Sequence, residues 1–131
     1  MIEFKTYTFR SVPQPKSSFW ILNDLSILDH PVKRIFFNKS YEKEIRGDHA
    51  HFNCWQTLVC LEGKIKVTLD DGKNKNTFIL ENKGQALTIP PKIWGTEEYE
   101  PDAYLMVLCS EIYDRKDYIQ DYQIFLNAIK K

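Results

Sequence analysis

The chain lacks an excess of either charge: eighteen Lys and Arg stand against eighteen Asp and Glu in 131 residues. With a formal net charge of zero, no overall field draws it to nucleic acid or to an anionic membrane. Only a local basic pocket could hold an anion. Cysteine is scarce too. Cys54, Cys60 and Cys109 form an odd set with no C-x-x-C pair, which argues against a disulfide framework or a Cys-based zinc site. Cys60 and Cys109 lie in apolar runs and read as small buried hydrophobes. No stretch approaches the ~20 apolar residues a membrane helix needs, and Met1-Ile2-Glu3-Phe4-Lys5 lacks the apolar core of a signal peptide. A cytoplasmic protein without nucleic-acid or membrane partners is expected. Repeats and low-complexity tracts are absent.

What is present suits one packed domain over 1–131. Hydrophobic residues make up 43% and charged residues 27%, enough to fill a core and to cover it. From Ser17 to Cys109 the chain breaks into short β-branched, aromatic and aliphatic runs ended by Gly, Pro, Asn or Asp. Strands are predicted at Ser18–Leu22, Val32–Phe37, Cys54–Leu61, Lys64–Leu69, Thr77–Leu80, Ala86–Ile89, Ile93–Glu97 and Tyr104–Cys109, an antiparallel all-β pattern. Lys64 to Leu69 alternates strictly between polar and apolar, so one face is buried and one is wet. Glu62-Gly63 and Asp71-Gly72 around it are hairpin signals, which makes Cys54 to Leu80 a three-strand meander. Cys54–Leu61, nearly all apolar after Gln56, predicts a strand covered on both faces by another sheet or a second subunit, a hint of a homodimer. Beyond Cys109, Tyr118, Ile119, Tyr122, Phe125, Leu126 and Ile129 recur at helical spacing. They predict a C-terminal amphipathic helix over 114–130, with Asp114 as cap and Asp117 as first-turn acid. Ser11–Lys16, with Pro13 and Pro15, reads as a linker that leaves a first strand within 1–16 free to pair with a neighbouring subunit.

Two of the three histidines fall in Arg46-Gly47-Asp48-His49-Ala50-His51. Imidazoles two residues apart project from the same face of a strand and can reach one ligand together. A metal site is one reading, but two imidazoles make a poor one, and further ligands would have to come from Cys54 or from carboxylates. Acid/base work is favoured, since His, with an unperturbed pKa of ~6.5, takes and returns protons near neutral pH.

The pair sits in a pattern similar to the cupins, small jelly-roll β-barrels. Metal cupins carry His-x-His with a Glu three or four residues on, whereas here Cys54 and Trp55 follow. Their second motif is recognisable from Gly84 through Pro90-Pro91-Lys92-Ile93-Trp94-Gly95, but Gly95 takes its His position. The chain more closely resembles one group, the dTDP-4-keto-6-deoxyglucose 3,4-ketoisomerases, or WxcM-like cupins. The resemblance runs through Pro31–Phe37, Arg46–His51, Gln56–Gly63, Leu69–Gly72, Ile89–Trp94 and Tyr113–Ile119, in order along most of the chain.

That resemblance implies a cupin jelly-roll with a short C-terminal α-helix and a homodimer with exchanged N-terminal strands. It also implies a metal-independent, cofactor-free isomerase acting on a dTDP-linked keto-sugar. A base removes the C3 proton beside the C4 ketone, an enediol forms, and a proton is delivered to C4. It assigns His49 as principal base and His51 as its partner or proton shuttle. Arg46 and Arg34 are implied for the diphosphate or a hydroxyl, with Lys16, Gln56 and Trp94 as further substrate-binding positions. The chain departs from the family pattern at Gly95 (His or Arg in relatives), Lys16 (Arg or Tyr) and Phe36 (often Tyr). Thr96 and Tyr99 are the candidates to replace what Gly95 lacks. A sugar-nucleotide-binding cupin without catalysis and a metal-dependent cupin enzyme are the alternatives.

Overall fold

The computed structural model describes residues 2–130. The chain runs through β1 (Thr6–Thr8), β2 (Arg10–Pro13), β3 (Ser18–Ile21), a 3₁₀ turn at Leu25–Leu28, β4 (Arg34–Lys39) and β5 (Glu44–His51). It continues through β6 (Gln56–Glu62), β7 (Ile65–Asp70), β8 (Lys75–Leu80), β9 (Gln85–Ile89), β10 (Trp94–Tyr99) and β11 (Tyr104–Cys109). After a 3₁₀ turn at Arg115–Asp117 come β12 (Tyr118–Ile119) and α1 (Tyr122–Ala128). Two five-stranded sheets form, in the orders β1-β9-β6-β11-β4 and β12-β5-β10-β7-β8, while β2 and β3 pair only with each other. The result is the expected all-β jelly-roll with one short C-terminal helix. The two sheets face each other as a sandwich and strand pairing does not close them into a barrel.

The main core lies between the sheets. Leu58, Cys60, Leu87, Leu105 and Val107 of the first meet Ile65, Val67, Leu69 and Leu80 of the second, all almost wholly buried. A second cluster covers the outer face of the first sheet: Val59, Ala86 and Leu108 pack under Leu28, Tyr7, Phe9, Leu22 and Val32. The unbroken apolar run of β6 thus finds both its covers within one chain and needs no second subunit. On the outer face of the second sheet, Ala50 and Trp94 pack under Ile119 and Phe125, which anchors α1 there.

Four expectations change. Cys54 to Leu80 is not a meander: only β7 and β8 pair, and β6 lies between β9 and β11 in the other sheet. The Glu62-Gly63 turn crosses between sheets because the alternating face of β7 is needed opposite β6, not beside it. Ser11–Lys16 is not a linker; it holds most of β2 and the turn into β3, closed by the Gln14 N–H donating to the Ser17 carbonyl at 2.7 Å. The first strand is not loose either, since β1 pairs with β9. The helix is shorter than 114–130. Asp121 caps it by accepting from the Gln123 and Ile124 N–H groups, whereas Asp114 caps the preceding 3₁₀ turn. Asp117, expected as a first-turn acid, is buried.

Candidate active site

Strand β5 is irregular where the histidines begin. Gly95 of β10 lies opposite His49, yet its neighbour Thr96 lies opposite Gly47, so Asp48 is an extra residue. Gly47 and Asp48 both take positive φ, 77° and 58°, the mark of a β-bulge. An extra residue shifts the alternation of side chains by one. Arg46, which strict alternation would put on the face opposite His49, therefore shares the inner face with His49 and His51. Trp94 closes the bulge from the outer face, its indole N–H donating to Asp48 Oδ1 at 3.0 Å.

The imidazoles are linked. His49 Nε2 and His51 Nε2 are 3.2 Å apart, and His51 Nδ1 lies 3.0 Å from Asp117 Oδ2. Asp117 is fixed in turn by the backbone N–H groups of Asn53, at 2.7 Å to Oδ1, and Cys54, at 3.2 Å to Oδ2. With this carboxylate accepting, His51 Nδ1 carries the hydrogen and its Nε2 is bare, so the contact between the rings is an N–H···N bond from His49. Tyr118 packs on both rings, at centroid distances of 5.1 Å and 4.4 Å. Burial disfavours the imidazolium. It lowers the pKa of half-buried His49, and, with His49 alongside, brings that of His51 to about 4. Both rings are neutral at pH 7, the form that accepts a proton.

His49 opens into a cleft of about 400 Å³ between the sheets, which Arg34, Phe36, Arg46, Gln56, Glu97 and Tyr113 also line. That volume suits a small-molecule ligand. Arg34 donates to the Tyr118 hydroxyl at 3.4 Å and lies over the rings of Phe36 and Tyr113, while its buried Nε has no partner among the described residues. Arg46 pairs with exposed Glu44 at 3.2 Å. Gln56 is buried, its amide donating to Cys109 Sγ at 3.7 Å. Four sequence-predicted residues, Arg34, Arg46, His49 and Gln56, therefore meet at one cleft, with His51 behind. Lys16 and Trp94 are not among them. Lys16 is exposed in the β2–β3 turn, and Trp94 faces α1.

His51, Cys54 and Asp117 bring donor atoms within 4.8 Å of one another and are the residues that could meet around a metal ion. The Asp117 oxygens and His51 Nδ1, however, are engaged with each other and with backbone N–H groups, so this set is arranged to hold a ring. Two residues went unanticipated. Asp117 carried a misleading signal, a helix-cap pattern. Glu97 did carry a signal: two residues from Gly95 in a predicted strand, it shares the face of that position by simple alternation. Of the candidates to stand in for the missing side chain at Gly95, Thr96 lines a separate outer groove and Tyr99 lines the cleft; Glu97 faces it from the position between.

Known proteins resemble this chain over nearly its whole length. Residues 2–130 match the family model described as FdtA: WxcM-like, C-terminal. A TDP-4-oxo-6-deoxy-α-D-glucose-3,4-oxoisomerase from Aneurinibacillus thermoaerophilus is 31% identical over 132 residues, covering 99% of this chain and 95% of that protein. Among solved structures, a 3,4-ketoisomerase from Helicobacter canadensis superposes with a TM-score of 0.90 at 28% identity, over 98% of each chain. A TDP-fucose-3,4-ketoisomerase from Campylobacter jejuni gives 0.87 at 30% identity, over 98% of this chain and 97% of its own.

Proposed function

The chain belongs to the FdtA, WxcM-like family, and we propose on that basis that it is a sugar-nucleotide 3,4-ketoisomerase. Its substrate is a dTDP-linked 4-keto-6-deoxyhexose and its product the 3-keto isomer. The observation that carries the reading is the relay His49–His51–Asp117 at the edge of a cleft large enough for a sugar.

The reaction needs a base beside C3, a way to return that proton to C4, and donors for the enediolate between. His49, neutral and half-buried, takes the C3 proton. The contact with His51 lets the added charge spread along the relay, and Asp117 keeps the second ring oriented, as a carboxylate does for a catalytic histidine elsewhere. The same imidazolium then protonates C4. Arg34 and Arg46 bind the diphosphate or a sugar hydroxyl, and Gln56 borders the reacting carbons. Trp94 acts indirectly by holding Asp48 and hence the bulge. No step draws on a metal or cofactor.

The working form is a homodimer in the cytoplasm. The β2–β3 hairpin belongs to neither sheet and exposes Phe19 and Trp20, and edge strand β4 exposes Ile35 and Phe37, apolar surface suited to a second copy. In that assembly Lys16, at the tip of the hairpin, reaches the partner's cleft.

Incubating the protein with dTDP-4-keto-6-deoxyglucose in deuterated buffer should give a 3-keto sugar carrying deuterium at C4, read by NMR. His49→Asn should abolish conversion while dTDP still binds. Absence of both turnover and exchange in the wild type would overturn the reading, and a fully active His49→Asn would overturn the assignment of the base.

A further inference from the structure

Gly95 leaves space directly opposite His49. A Cβ added there would touch only Leu69 Cδ2 at 3.5 Å and Ile89 Cδ1 at 3.9 Å, so no crowding forbids a side chain. The space is part of an inner cavity of about 20 Å³ bounded by His49, His51, Gln56, Gly95 and Glu97, room for one water molecule. Glu97, two residues along β10 from Gly95 and on the same face, borders both this cavity and the larger cleft.

The Glu97 carboxyl is fixed but unpaired. It sits against the bulge glycine so closely that a Cβ on Gly47 would overlap Glu97 Oε2. No hydrogen bond or ion pair engages it among the described residues, because Arg46, its cross-strand neighbour on β5, turns to Glu44. On β7 its neighbour is apolar Val67. The remaining titratable groups that face it are His49 on β5 and Tyr99 on β10, with Arg34, Tyr113 and Tyr118 across the cleft. His51 and Cys54 lie behind the cavity. Partial burial without a partner favours the uncharged acid, and against the opposing pull of Arg46 it pushes the carboxyl up to about 7. A carboxylic acid beside a neutral imidazole divides the labour of acid and base.

We propose that Glu97 is a second catalytic residue, moving the hydroxyl proton between the sugar oxygens O4 and O3 while His49 moves the carbon-bound proton. This inference rests on the ketoisomerase reading above. As His49 takes the C3 proton, the Glu97 acid gives its proton to the C4 ketone oxygen, and the neutral enediol forms with Glu97 left as carboxylate. Glu97 then takes the O3 hydroxyl proton as the C3 carbonyl forms, and the His49 imidazolium protonates C4. Both residues end as they began, and no oxidant or co-reactant is required. The water-sized cavity beside Gly95 lets Glu97 reach whichever oxygen lies farther away.

The test is the pH dependence of kcat/KM for the wild type, Glu97→Gln and Glu97→Asp on the 4-keto sugar nucleotide, with dTDP binding measured alongside. The wild-type profile should fall on the alkaline side with an apparent pKa near 7. Glu97→Gln should lose about a hundredfold or more while binding dTDP within about twofold. Glu97→Asp, which keeps the acid but shortens its reach, should lose less and retain the alkaline limb. An infrared carboxylic C=O band that fades between pH 6 and 8 in the wild type, and is missing in Glu97→Gln, reports the acid without turnover. An isomerising wild type whose Glu97→Gln variant keeps its rate within about threefold and its alkaline limb overturns the proposal. So does a wild type without that infrared band. A wild type that does not isomerise the sugar at all overturns the parent reading and this one with it.

Discussion

His51 shows how one buried residue ties stability to pH. In the unfolded chain an imidazole takes up its proton near pH 6.5, whereas His51 in the fold resists until about 4. Between those values the unfolded chain binds more protons, so stability, fully present above about pH 6.5, is lost as pH falls toward 4. The shift amounts to about 3 kcal/mol at most. His49, its pKa also lowered by burial, adds in the same direction. Urea midpoints measured at pH 7 and pH 4.5 should therefore differ clearly in the wild type, and much less in His51→Gln. A variant with an undiminished pH slope would show that the loss lies elsewhere.

Asp117 teaches the opposite lesson at the same scale. Its local sequence pattern is that of a helix cap, and only the arrival of β12 beside β5, pairing Tyr118 with His51, makes it a histidine partner 66 positions away in the chain. Asp117→Asn keeps the size of the side chain but can leave His51 in the wrong tautomer. We expect kcat to fall by about a hundredfold or more with dTDP affinity unchanged. An unchanged kcat would remove Asp117 from the relay.

At the scale of the element, the bulge in β5 decides which residues share the cleft. The period of two was enough to put His49 and His51 together, and that much was legible. Arg46 joins them only because Gly47-Asp48 inserts one residue, and a bulge has no pattern that outweighs ordinary alternation. Gly47 is required twice over, by its φ of 77° and by the Glu97 carboxyl where a Cβ would stand. Gly47→Ala should cost on the order of 1–3 kcal/mol and reduce activity beyond what stability explains, because the Glu97 carboxyl must move. Melting temperature and kcat measured together test this; a variant that melts early yet keeps full kcat would make the bulge merely structural.

For the whole molecule, assembly bears on function, since Lys16 lies in a hairpin away from its own cleft. Sedimentation equilibrium should find two protomers. If the proposed dimer holds, replacing both Phe19 and Trp20 by Ser should shift the mass to one protomer and lower activity, because Lys16 would no longer reach a neighbouring cleft. A wild type that is monomeric and fully active would sink the dimer.

The sequence by itself determined the all-β class, most strand positions, the family and the histidine pair. Each of these depends on local alternation, turn residues or a contiguous motif, which survive without knowledge of the partner strand. The tertiary structure decided the rest. It sent β6 and β7 to opposite sheets, because the apolar faces of both had to meet in one core. It drew Asp117 to His51 and set the Glu97 carboxyl against the Gly47 bulge of the neighbouring strand, contacts between distant segments that no single stretch of sequence encodes.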